Sequence, residues 1–182
     1  MTVKQKQIFD PFNDRKARLV RNGLSNAFVS ALQLMDFAIV EKRFRELAEG
    51  YDLPVYRDYL EDKTAHYRQV FDFCKEEVQG NCEIFFLTAL LWKHRLFFEV
   101  HELLEQEWGE ATGQYRKALQ GLIQAAGYYL LLAAGNESGA AKLADKAIAN
   151  IIENRDQLPK NLRLDRLIEN LKKRDAEPLP LA

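Results

Sequence analysis

Phe97-Phe98-Glu99-Val100-His101-Glu102-Leu103-Leu104-Glu105-Gln106-Glu107-Trp108, continued beyond Gly109 and Gly113 by the run Gln114 to Ala134, is the stretch that decides the fold. Apolar residues in both halves recur at the period of an amphipathic helix, and neither half alternates strictly as a strand does. The two glycines between them read as the stop of one helix and the start of the next. The pair is therefore expected to form an antiparallel helical hairpin from Leu96 to Ala134, ended by Gly135.

Working outward, Ile84 through Trp92 is apolar on every side, as in a short helix buried at the centre of a core, and Gly80-Asn81 reads as the helix stop before it. Downstream, Ser138 is placed to cap a helix carrying Ala141, Leu143, Ala144, Ala147, Ile148 and Ile151. Pro159 ends that helix before a last one over Leu164 to Leu171, and the tail from Glu177 to Ala182 is expected to be loose. Upstream, Asp10-Pro11-Phe12-Asn13 is a turn with a ready N-cap. It leads into a long helix carrying Leu19, Ala27, Phe28, Ala31, Leu32 and Met35, with a break expected near Gly23. Phe37, Val40, Phe44 and Leu47 mark a second helix, stopped by Gly50 and Pro54. Tyr56, Tyr59, Tyr67, Val70, Phe71 and Cys74 mark a third. The expected fold is all-α, a helical bundle of about six to eight helices around the central hairpin, with no fixed-period repeat. Residues 1–80 are expected to be a helical extension packed on the core, 81–175 the core domain, and 176–182 the loose tail.

At 182 residues, with 47% hydrophobic and 29% charged residues, the chain has the balance of an ordinary globular protein able to bury a core. Lys and Arg number 26 against 27 Asp and Glu, so no global field exists to recruit nucleic acid, and neither a nucleic-acid nor a membrane partner is expected. The basic run Arg15, Lys16, Arg18 and Arg21 reads as a solvated helix face. Cys74 and Cys82 are too few for a disulfide framework or a thiolate zinc site and suit a reducing compartment as small core residues. The polar start from Met1 to Gln7 carries no secretory pattern, and the longest apolar runs fall far short of the roughly 20 residues of a membrane helix. A soluble, cytoplasmic protein is expected.

The residues able to carry chemistry lie on the hairpin. His101, Glu105 and Trp108 stand at i, i+4 and i+7, on one helix face, and Gln120 and Gln124 stand one turn apart on the other helix. An antiparallel hairpin sets Glu105 opposite Gln120 and His101 opposite Gln124, so that four polar groups converge inside an aromatic shell. Three accounts compete. In the first the groups satisfy one another as a buried structural network. In the second they line a small-molecule pocket walled by Trp108 and oriented by the two glutamines. In the third His101 and Glu105 are metal ligands. The run His-Glu-Leu-Leu-Glu puts Glu105 where a zinc-protease motif needs a second His, so zinc hydrolysis is poorly supported and no metal is assigned. No Ser or Cys lies in a nucleophile elbow.

The run Phe98 to Glu105 with Trp108, then Leu119-Gln120-Gly121-Leu122-Ile123-Gln124, then Gly135-Asn136 and Gly139-Ala140, resembles the bacterial and archaeal family catalogued as domain of unknown function 309, over about residues 84–172. The resemblance implies a small helical domain and brings no activity or cofactor with it. His101, Glu105, Trp108, Gln120 and Gln124 match its motif positions. Leu131 stands where the family commonly has a His, which removes the obvious third metal ligand. The expected function is a non-enzymatic helical binding or interaction protein, as a homo-oligomer or with a small-molecule ligand. The alternative is a small-molecule hydrolase or lyase, metal-assisted or not, using Glu105 as base and His101 as its partner.

Overall fold

The computed structural model describes residues 8–77 and 83–182, and among these it contains eight α-helices, one short 3₁₀ turn and no strand. The chain divides into two compact units, Met1–Asn81 and Cys82–Ala182. The expected helix stop at Gly80-Asn81 and the residue Cys82 lie outside the described residues.

The first unit is a three-helix assembly of α1 (Arg15–Leu34), α2 (Ala38–Gly50) and α3 (Pro54–Glu77), in which each helix packs on the other two. The turn at Asp10 forms as expected, its carboxylate accepting from the backbone N–H of Phe12 at 3.0 Å and of Asn13 at 3.1 Å. The cap of α1, however, is Asp14, which accepts from the N–H of Lys16 at 2.8 Å and from the hydroxyl of Tyr56 on α3 at 2.7 Å. Arg18, from the basic run, clamps the turn by donating to the carbonyls of Pro11 and Phe12. α1 runs unbroken through Gly23. A Cβ there would meet only the guanidinium of Arg43, at 2.9 Å, the movable end of an exposed side chain, and the helix does not bend at the glycine. Val20, Leu24, Phe28 and Leu32 form the buried stripe of α1, whereas Leu19 is exposed. Phe28 stacks on Tyr67 with ring centroids 3.9 Å apart, and Cys74 is buried beside this core as a small apolar residue.

The second unit contains α4 (Ile84–Lys93), α5 (Phe97–Glu110), α6 (Gly113–Ala133), α7 (Glu137–Asn154), the 3₁₀ turn Arg155–Gln157 and α8 (Leu164–Lys173). α5 and α6 make the expected hairpin, joined through Ala111 and Thr112, with Gly113 at φ +59° opening α6. Gly135, at φ +73°, closes α6, and the N–H of Asn136 reaches back to the carbonyl of Leu131 at 2.8 Å. The tightest pairing is α6 with α7. A Cβ on Gly121 would lie 2.7 Å from Ile151 Cγ1 and 3.1 Å from the Ile151 backbone nitrogen, so glycine lets the two backbones approach.

Three expectations for this unit are corrected. α4 is not buried all round: Leu87, Thr88, Leu90, Leu91 and Trp92 are inside, while Phe86 is exposed. The cap of α7 is Asn136, whose side chain accepts from the N–H of Gly139 at 2.9 Å, and Ser138 lies in the first turn. The segment from Glu177 onward is not loose. Trp92 Nε1 donates to the carbonyl of Leu179 at 3.0 Å, the N–H of Arg163 donates to that of Leu181 at 2.7 Å, and Leu181 is 2% exposed. The core beneath holds Trp92, Phe97 and Tyr129, with Phe97 and Tyr129 stacked at 4.6 Å.

Candidate functional site

α5 positions the histidine. Its inward side is apolar, with Phe97, Val100, Leu103 and Leu104 buried, and this anchoring fixes where the intervening residues emerge. Glu99 is also buried, at 1% exposure, in the first turn of the helix, where the positive end of the helix dipole favours a carboxylate. His101 emerges half-buried at the edge of this face, with Phe98 packed parallel to its ring.

The imidazole lies between two carboxylates of its own helix. Its Nδ1 faces Glu102 Oε1 at 3.5 Å and its Nε2 faces Glu105 Oε1 at 3.6 Å. Both separations exceed a hydrogen bond, and Nδ1 is shielded from solvent without a hydrogen-bond partner. One ligand-capable atom from each of His101, Glu102 and Glu105 lies within 4.8 Å of the others. This set mixes one nitrogen with carboxylate oxygens, the donor types that first-row divalent ions accept. Glu102 is the member that sequence spacing missed, since i and i+1 do not share a helix face. It is reached because the ring lies across the surface between its neighbours, and no pattern in the sequence announces that rotamer.

The remaining expected members separate. Gln124 points to α7, where its Oε1 accepts from Asn150 Nδ2 at 2.9 Å. Trp108 lies under the guanidinium of Arg116 from α6, 3.7 Å from the ring centroid, and Arg116 also donates to the carbonyl of Ala111, which fastens the turn of the hairpin. Gln120 is half-buried on α6 and belongs to none of these pairs. Glu105 is exposed, so it does not sit in an apolar shell. The expected fourfold convergence is thus resolved into a His101–Glu102–Glu105 face, an interhelical Gln124–Asn150 bond and a Trp108–Arg116 stack.

Near the turn, Tyr115 donates to Glu107 at 3.2 Å, and its hydroxyl is pushed up to about 12 by burial first and by the Glu107 charge second. Sequence reasoning also missed a polar group deep in the unit: Asn170 of α8, which donates to the Tyr129 hydroxyl at 2.8 Å. Two hollows of this unit, one lined by Tyr128, Leu132, Ser138 and Arg174 and the other by Arg155, Leu158 and Leu164, include none of the five residues expected from the sequence.

Residues 87–143 match the family model described as Domain of unknown function (DUF309), which supports the resemblance over α5, α6 and parts of α4 and α7 and leaves α8 outside the match. No curated protein and no solved structure gives a match to the chain.

Proposed function

We propose that this chain, with a domain of that family at residues 87–143, is a non-enzymatic binding module whose working surface is the His101–Glu102–Glu105 face of α5, at which it takes a divalent first-row metal ion. The observation that carries the reading is the approach of one ligand-capable atom from each of His101, Glu102 and Glu105 to within 4.8 Å of one another. Ligands of one ion at about 2.0–2.2 Å must come somewhat closer together than this. The exposed Glu105 side chain has the rotamer freedom to close that gap. The set holds one imidazole, and Glu102 and Glu105 supply the other two ligands. An ion held by one helix face with open coordination positions can be shared with a small molecule or with another protein, which gives the module its partner.

The hydrolase or lyase alternative is less well supported. It uses Glu105 as base with His101 as its partner, and Glu105 is exposed, with no apolar shell around it to raise its basicity. Nucleic acid is not proposed as a partner, since the formal net charge is −1. Among the described residues no helix is long and apolar enough to cross a membrane.

The test is calorimetric titration of the full chain with Zn²⁺, and separately with Ni²⁺, from a metal-free preparation. One equivalent should bind saturably, and His101→Ala and Glu102→Gln should each weaken it at least about tenfold. Absence of saturable binding, or binding that His101→Ala leaves unchanged, refutes the reading.

A further inference from the structure

In the first unit α2 and α3 form a hairpin joined through Tyr51 to Leu53, and an ion pair ties them together near the start of α2. Arg68 donates to Glu41 while its guanidinium lies over the Phe37 ring, 3.6 Å from the centroid. One turn nearer the connection stand Phe44 and Arg45 on α2 and Thr64 and Ala65 on α3, with Glu61 about a turn further. The side chains of Thr64 and Ala65 are short, and between the two helices lies a hollow of about 470 Å³ lined by these residues. That volume falls within the range of roughly 300–1,000 Å³ in which proteins hold small molecules.

The charges of the lining select the occupant. Two of each sign line the hollow, and Glu41 and Arg68 engage each other. Arg45 on α2 and Glu61 on α3 are exposed and, among the described residues, pair with nothing. An ion pair needs nitrogen and oxygen within about 4 Å, so these two unlike charges face the same hollow from different helices without meeting. An anion alone would answer Arg45 but lie among two carboxylates, and a cation alone would answer Glu61 but lie among two guanidinium groups. A zwitterion answers both and leaves the lining neutral. The rest of the lining is largely apolar, with Phe37 buried and Phe44 half-buried, which suits an apolar body and above all an aromatic ring.

We propose that the hollow between α2 and α3 binds a free α-amino acid with a large apolar side chain. Arg45 holds its carboxylate, Glu61 holds its ammonium group, and its side chain lies against Phe37 and Phe44. The Glu41–Arg68 pair keeps both of its members from competing for the ligand's charges. The site belongs to the first unit alone, and the metal reading of α5 does not enter the argument.

The experiment is calorimetric titration of the full chain with L-phenylalanine, and separately with hydrocinnamate and phenethylamine, which keep the ring and carry one charge each. L-phenylalanine should bind saturably with a dissociation constant of about 1 mM or lower, and each analogue at least about tenfold more weakly. Arg45→Gln and Glu61→Gln alter exposed side chains and should leave the helicity intact by circular dichroism, while each weakens L-phenylalanine at least about tenfold. Ala65→Leu, at an exposed helical position, fills the hollow without touching a charge and should abolish binding. Absence of saturable binding overturns the proposal. So does an analogue that binds as tightly as the amino acid, or binding that Ala65→Leu or either charge variant leaves unchanged.

Discussion

Tyr129 shows how much a single buried hydroxyl can govern. Burial above all pushes it up to about 12, while the hydrogen bond from Asn170 acts the other way. In the unfolded chain a tyrosine ionises near 10. Below that pH both states keep the proton and stability is flat. Between about 10 and 12 the unfolded state releases it first, so stability falls, by on the order of 2 kcal/mol when complete. Tyr129→Phe should cost about 1 kcal/mol at neutral pH through the lost hydrogen bond and should flatten the alkaline decline, as read from denaturant midpoints at pH 8 and pH 11. Tyr115, also pushed up to about 12, adds to the same decline. The i, i+4 pair His101 and Glu105 was legible in the sequence because helical spacing alone brings such residues together. Gln124 was misread because spacing assigns a face but not a partner, and Asn150 on a third helix competes for it. Glu102 and Asn170 gave no sign, since their roles depend on one rotamer and on the docking of α8.

Helix α7 illustrates which element properties a sequence carries. Its apolar stripe, with Ala144, Ala147 and Ile151 buried, follows from periodicity, but the choice of Asn136 over Ser138 as cap does not, because both are good cap residues. Gly139 settles it: a Cβ there would lie 2.8 Å from the Asn136 amide, so cap and glycine form one device. The α6–α7 contact yields a paired prediction. Gly121→Ala drives a methyl into Ile151 Cγ1 and backbone and should cost about 1–3 kcal/mol in chemical denaturation. Gly127→Ala meets only the terminal Leu143 Cδ1, at 2.9 Å, which can rotate aside, so it should cost clearly less. Equal costs would mean that the helices, not the side chain, yield at Gly127. Gly23 was misread as a break for the same reason that Gly121 could not be interpreted: a glycine in a helical run signals either flexibility or a neighbour, and the neighbour is a tertiary fact.

As a whole, the molecule is two helical units, each with buried apolar residues of its own. The capping of α1 by Asp14 and its bond to Tyr56 stay within the first unit, and the Trp92–Tyr129–Asn170 assembly stays within the second. A fragment of residues 82–182 is therefore expected to fold alone, with the helicity of α4 to α8 and a dispersed amide spectrum; a collapsed spectrum would show that it depends on the first 81 residues. The all-α architecture was legible throughout because a 3.6-residue period leaves no room for strands. The ordered tail was not, because Pro-Leu-Pro-Leu has no helical or strand period and its order comes from donors elsewhere in the unit. The placement of the two tryptophans has a further consequence. Trp92 is sealed inside its unit and Trp108 lies under Arg116, and both belong to Cys82–Ala182. Their fluorescence therefore reports from the second unit, whereas circular dichroism sees every helix. A melt followed by both signals at once tells, from whether the two curves coincide, whether the units unfold together or in turn.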